Sequence, residues 1–143
     1  MIKFFKEGSD IVLKTVGLTK PVIKQIFADH KLILKSLNII FITNAEILEI
    51  NKNHLNHDYY TDIITFDLGN EPKKKEGEIY ISWEMAKENS EKYKVDYYDE
   101  LSRLIIHGCL HLSGYKDKNP EEKEEMTAKE NHYLKNLVSR ETY

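Results

Sequence analysis

Two histidines four positions apart are the residues of this chain whose spacing most directly indicates chemistry. His107 and His111 lie in a segment, residues 97–112, whose apolar residues recur at helical spacing. Residues four apart share one face of a helix, with Cβ atoms about 5–6 Å apart, so both imidazoles can bind one divalent metal ion. Spacing alone leaves a second interpretation open, in which both are ordinary polar residues of an amphipathic helix.

The residues after this helix supply a third candidate ligand. Gly114 is placed to end the helix and reverse the chain, and Asp117 follows three positions later. A reversal there can return the Asp117 carboxylate to the same ion. Two histidines and one carboxylate form a known catalytic zinc set that leaves a fourth position open for water. The alternative for Asp117 is an Asx turn in a surface loop.

The two residues after His107 bear on which class of metalloenzyme the sequence allows. Zinc proteases of the His-Glu-x-x-His type carry a general base at the next position, which here is Gly108. A glycine cannot act as a base, so its expected use is close packing of the helix backbone. Cys109 points about 200° away from His107 and is expected in the core. As the single cysteine it forms no intramolecular disulfide, which indicates a reducing, cytoplasmic environment.

Helical and extended segments along the chain must position these residues. We predict helices over about residues 19–37, 43–53, 82–93, 97–112 and from 119 onwards, and strands over 2–5, 38–42, 63–66 and 78–81. The last two strands, joined by a polar loop over 69–77, are expected to form a hairpin. The pattern indicates one α+β domain over residues 1–143. Its small mixed sheet has about four strands packed with about five helices, and the metal site lies on the penultimate helix and the loop after it.

The charge of the chain is divided unevenly along its length. Its 143 residues carry 21 basic and 24 acidic side chains, a net charge of −3, which disfavours a uniformly basic nucleic-acid binder. Residues 1–44 nevertheless have a net charge of +4. In the first predicted helix Lys20, Lys24, Lys31 and Lys35 fall within roughly 60° of arc. This stripe is either a solvated helix face or a surface that follows phosphates.

Other features bear on location and substrate. No segment approaches the roughly 18 apolar residues of a membrane span, and the N-terminus shows no secretory signal. We therefore expect a cytoplasmic protein without a membrane partner. His54 and His57 lie in a polar, aromatic-rich stretch before a predicted strand. They are either substrate contacts or residues of a solvated loop.

The segment His-Gly-Cys-Leu-His-Leu-Ser-Gly-Tyr over residues 107–115 resembles the signature of the YbeY family, bacterial metal-dependent endoribonucleases implicated in ribosomal RNA maturation. Residues 61–66 resemble the family's Thr-Asp-Val-Leu-Ser-Phe strand, and residues 77–79 resemble its Gly-Asp-Ile strand. Residues 124–126 fall where the family has an acidic, methionine-containing last helix. The matched segments span about residues 38–130 in the family's order.

The resemblance implies a small α+β fold with a four-stranded sheet and one Zn²⁺ per chain held by three side chains. It implies His107 and His111 as catalytic metal ligands. The third family ligand is a histidine, where this chain has Asp117, and Lys116 replaces the aspartate that usually precedes it. A carboxylate can replace imidazole on zinc. The family also usually has an arginine at the position of Leu55, and arginine is a natural phosphate contact.

We therefore expect a zinc-dependent endoribonuclease, specific for single-stranded RNA, that acts in 16S ribosomal RNA maturation and ribosome quality control. Its expected partners are ribosomal RNA, the small ribosomal subunit and ribosome-associated proteins. The nucleophile is either a metal-activated water or the RNA's own 2′-hydroxyl. The alternative is a non-catalytic ribosome assembly factor with a structural metal site. Candidate substrate-binding residues are His54, His57, Lys24 and Lys31.

Overall fold

The architecture is that of a four-stranded sheet combined with five helices. A computed structural model describes residues 2–6, 10–55 and 61–141. The elements within these ranges confirm the predicted α+β class. In chain order they are β1 (Ile2–Lys6), α1 (Asp10–Asp29), β2 (Ile33–Ile42), α2 (Asn44–Leu55), β3 (Ile63–Asp67), β4 (Lys74–Ser82), α3 (Trp83–Tyr93), α4 (Tyr97–Leu112) and α5 (Pro120–Glu141).

The sheet is mixed, with strand order β1-β2-β4-β3. Strand β2 runs parallel to β1 and β4, and β3 pairs with β4 in the predicted antiparallel hairpin. Strand β4 begins at Lys74, so the prediction that all of residues 69–77 form a loop was wrong in its second half. The reason is that β2 is also longer than predicted, and its first residues, Ile33 and Leu34, pair with Lys74 and Lys75.

The prediction of one helix over residues 19–37 was wrong at both ends. Helix α1 begins at Asp10, so Thr19 is a buried residue inside the helix rather than its N-cap. The helix ends at Asp29, and Lys31 adopts a left-handed φ of 56° that turns the chain into β2. A register shift between Leu34 and Ser36 then changes which residues of β2 face the core. The resulting mixture of spacings imitates a helical period.

The lysine stripe is therefore not a feature of this fold. Lys20 and Lys24 lie on α1, whereas Lys31 lies in the turn after it and Lys35 lies on β2. The four side chains share no helix face. Lys35 instead forms an ion pair with Glu76 of the neighbouring strand, at 3.3 Å. The basic surface predicted from helical spacing loses its structural basis.

The main core lies between one face of the sheet and helices α1 and α4, with α5 packed against both helices. Helix α2 packs against β3 and β4 from the other face, where the rings of His54, Phe66 and Tyr80 stack edge to face. Among the described residues, no helix combines the length and apolar character needed to cross a bilayer.

Helix α4 connects this core to the predicted metal site. It begins as predicted at Tyr97, where the Asp96 side chain accepts hydrogen bonds from the backbone amides of Tyr98 and Asp99. Cys109 is fully buried, as expected. Gly108 faces β4, where an added Cβ would lie 2.7 Å from Cδ1 of Ile79 and 3.1 Å from its Cγ1 and Cγ2. Close packing of the helix on the sheet therefore explains this glycine.

Gly108→Ala is expected to lower the free energy of unfolding by about 1–3 kcal/mol, because the core cannot accept the methyl group without a shift of Ile79. Gly17→Ala on α1 is the matched control, since an added Cβ there has no neighbouring atom within 4 Å. It should raise the free energy of unfolding by about 1 kcal/mol through helix propensity. Chemical denaturation of both variants measures the difference. Equal effects of the two substitutions would contradict the packing assigned to Gly108.

Candidate metal centre

Three side chains converge at the C-terminal end of α4. The Nε2 atoms of His107 and His111 are 3.0 Å apart, and each lies 3.3 Å from Oδ2 of Asp117. The ligands of a tetrahedral zinc ion with bonds of about 2.0–2.1 Å are separated by about 3.3–3.4 Å. Within the described part of the chain, this is the one group of three or more His, Cys, Asp or Glu side chains close enough to hold a metal ion.

The second nitrogen of each imidazole determines what the site can bind. Nδ1 of His111 lies 3.0 Å from the backbone carbonyl oxygen of Tyr115, which can only accept, so Nδ1 donates. Nδ1 of His107 lies 2.6 Å from a carboxylate oxygen of Glu130. A neutral ring that donates from Nδ1 carries a lone pair on Nε2. Two lone pairs and a carboxylate oxygen therefore face one another, and a cation between them fits this arrangement.

The turn after α4 brings the third candidate ligand back to the helix. The amide of Gly114 bonds to the carbonyl of His111, and the amide of Tyr115 bonds to the carbonyl of Leu110, which is the Schellman pattern of helix ends. Gly114 has a φ of 111°, a left-handed value that favours glycine. The reversal places the Tyr115 carbonyl on His111 and the Asp117 carboxylate beside both imidazoles. The predicted role of Gly114 as the helix end is thereby confirmed.

A buried carboxylate, itself paired with an arginine, supports His107 from the side opposite the convergence point. Glu130 on α5 is 6% exposed, and its other carboxylate oxygen lies 2.7 Å from a guanidinium nitrogen of Arg103 on α4. Arg103 also donates to the side chain of Asn131, at 2.6 Å. Burial lowers the pKa of His107, but the hydrogen bond and charge of Glu130, with the charges of Asp117 and Asp62, outweigh it and raise the pKa.

The converging ligands lie in the wall of a cleft of about 570 Å³. Arg103 is the sole basic side chain other than histidine among the described residues that line it. Burial raises the pKa of Asp62, whose carboxylate accepts a hydrogen bond from Asn89 at 3.2 Å. Burial and the nearby charge of Asp62 also raise the pKa of Glu100. The carboxylates that line the cleft are Asp62, Asp67, Glu100, Asp117 and Glu130.

The predicted substrate-binding residues do not line this cleft where the structure describes them. His54 contacts Phe66, 6.3 Å between ring centroids, on the other face of the sheet. Lys24 is exposed on α1 and Lys31 is exposed in the turn that follows. His57 lies outside the described residues. A role in RNA binding stays a prediction for all four residues.

Sequence reasoning missed the residues that surround the ligands. The last helix is rich in exposed acidic residues, but Glu130 lies on its buried side with Met126, Tyr133 and Leu137. A charged residue within an apolar stripe spaced by four, three and four positions was the available signal. His30 also has partners that the sequence does not reveal. It follows α1, and its two ring nitrogens bond the Ile26 carbonyl and the Tyr115 hydroxyl, at 2.7 and 2.8 Å.

The sequence and the fold of this chain are similar to those of known proteins. The family model described as Endoribonuclease YbeY matches residues 6–138. An Endoribonuclease YbeY of Cytophaga hutchinsonii is 43% identical over 129 residues, which is 90% of each chain. One of Karelsulcia muelleri is 42% identical over 134 residues, which is 94% of each chain. The solution structure of TM1509 from Thermotoga maritima superposes with a TM-score of 0.69, at 27% identity, over 98% of this chain and 91% of that chain.

The family model covers most of the chain, and the two relatives are similar along nearly their whole length. The two histidines and the glycine-ended turn belong to the segment that already resembled this family in the sequence. The chain therefore belongs to the YbeY family of endoribonucleases.

Proposed function

We propose that this protein is a zinc-dependent endoribonuclease that cleaves single-stranded RNA in the maturation of 16S ribosomal RNA. The observation that carries the proposal is the set of three ligand atoms, 3.0–3.3 Å apart, in the wall of the cleft. The side chain of Asp117 is 40% exposed and that of His111 is 29% exposed, so a substrate can reach the ligands. Family membership supports an RNA substrate. The ribosomal partners and the cytoplasmic location are proposed on the same basis.

Different side chains of the site have different roles in the proposed reaction. When bound, a zinc ion supplies Lewis-acid polarisation of a phosphoryl oxygen and lowers the pKa of a coordinated water. His107, His111 and Asp117 would hold the ion in the wall of the cleft. Asp62 and Glu100, in the same cleft, are carboxyl groups suited to proton transfer, because burial raises the pKa of each.

The acidic cleft also explains why a cation is needed. RNA phosphates are repelled by the carboxylates that line it, and Arg103 is already paired with Glu130. Position 55, where the family usually has an arginine, is an exposed leucine at the end of α2. A divalent cation held by His107, His111 and Asp117 would offset part of the negative charge where a phosphate must approach. The same features support the alternative, a ribosome assembly factor in which the metal is only structural.

The ligand set is tested by metal analysis of purified variants. His107→Ala, His111→Ala and Asp117→Ala should each lose stoichiometric zinc, since each removes one of three protein ligands. Asp67→Ala is the matched control, because its exposed carboxylate lines the same cleft outside the group of ligands. It should keep one zinc ion per chain. Retention of stoichiometric zinc by Asp117→Ala would show that the third ligand is wrong.

The activity is tested with a single-stranded RNA substrate and protein freed of contaminating nucleases. We expect His111→Ala to reduce the cleavage rate by at least about 100-fold, since loss of even a residue that supports a ligand costs about 10–100-fold. Glu124→Gln, which changes an exposed acid of α5 outside the cleft, should cleave at the wild-type rate. A 2′,3′-cyclic phosphate on the product would identify the RNA's 2′-hydroxyl as the nucleophile and exclude direct hydrolysis as the first step.

The alternative is distinguished in cells that lack the protein. The endoribonuclease proposal predicts that a wild-type copy restores the mature ends of 16S ribosomal RNA and that His111→Ala does not. The assembly factor would be favoured if His111→Ala restores those ends and if wild type and His111→Ala cleave RNA at equal rates in vitro.

A further inference from the structure

Glu130 lies where it can control how His107 binds a metal ion. The carboxylate is buried at 6% exposure and accepts a hydrogen bond of 2.6 Å from Nδ1 of His107. It belongs to α5, whereas the histidine belongs to α4. Its second oxygen accepts a hydrogen bond from Arg103 at 2.7 Å. We infer that Glu130 is a positioning residue that holds His107 in the Nδ1–H tautomer and raises the affinity of its Nε2 for the metal.

The two histidines differ in the group that fixes their tautomer. His111 donates to a neutral backbone carbonyl at 3.0 Å, and His107 donates to an anionic carboxylate at 2.6 Å. A charge-assisted hydrogen bond is shorter and stronger than a neutral one. A carboxylate behind an imidazole fixes the orientation of the ring and makes it a more basic ligand. His107 is thereby the stronger of the two imidazole ligands.

The Arg103 ion pair gives Glu130 a second function, which is to join α4 and α5. Removal of the carboxylate can therefore loosen the fold without any specific effect on the metal. The two contributions are separable, since Arg103→Met breaks the ion pair and leaves the bond between Glu130 and His107. A purely structural Glu130 predicts equal zinc affinity for the arginine and glutamate variants. A positioning Glu130 predicts weaker zinc binding by the glutamate variants alone.

The inference rests on the proposed metal centre, and zinc affinity by chelator competition tests it. Relative to wild type, the dissociation constant should rise about 10-fold in Glu130→Gln, which keeps the acceptor and loses the charge. It should rise about 100-fold in Glu130→Met, which loses both. Glu130→Asp should recover part of the loss in Glu130→Met. Arg103→Met and the exposed control Glu124→Gln should bind zinc close to the wild-type level. Thermal unfolding of the metal-free variants shows whether each is folded.

A measurement on the wild-type protein makes the test independent of any variant's folding. Nitrogen-15 NMR of the metal-free protein at alkaline pH should show the proton of His107 on Nδ1 and none on Nε2. A His107 protonated on Nε2, or Glu130→Gln binding zinc as tightly as wild type, would overturn the inference. Wild-type protein that binds no zinc at all would instead overturn the proposed function, so the two failures are distinguishable.

Discussion

Helix α4 has to serve the core and the metal site at once, and the contact between Gly108 and Ile79 makes this possible. A Cβ at Gly108 would lie 2.7 Å from Cδ1 of Ile79. A residue with a side chain at position 108 would therefore require the helix or Ile79 to shift. Cys109 and its apolar neighbours bury one face of the helix in the core. His107 and His111 then stand at the opposite side, in the wall of the cleft beside β3. The helical period sets the spacing of the two imidazoles. The packing of Gly108 on Ile79 sets how close they lie to the sheet.

The rest of the site depends on elements that reach α4 from other parts of the chain. The Schellman turn returns the Tyr115 carbonyl and the Asp117 carboxylate, and α5 supplies Glu130. His30, after the end of α1, holds the Tyr115 hydroxyl. Each of these contacts holds either a candidate ligand or a group that orients a candidate ligand. Packing and hydrogen bonds of this kind pre-organise a site, because they keep three electron-rich atoms together despite their repulsion.

Local signals in the sequence predicted much of this, and long-range contacts account for what they missed. Thr43 and Glu46 form a capping box at the start of α2, Ser82 caps α3, and the fold class and the elements that carry the three converging side chains are as predicted. The prediction of one helix over residues 19–37 was wrong because no glycine or proline in the sequence marks the end of α1. Lys31 turns the chain after α1 by adopting a left-handed conformation. Glu130 was missed because its partners are 23 and 27 residues away in the sequence.

His107, His111 and Asp117 are proposed to hold a single metal ion beside the cleft. X-ray absorption spectroscopy of the protein loaded with one zinc ion per chain measures the number and type of the ligand atoms. We expect two imidazole ligands with oxygen in the remaining positions, at about 2.0–2.2 Å, and no sulfur. Detection of three imidazoles, of a single imidazole or of a sulfur ligand would rule out this ligand set.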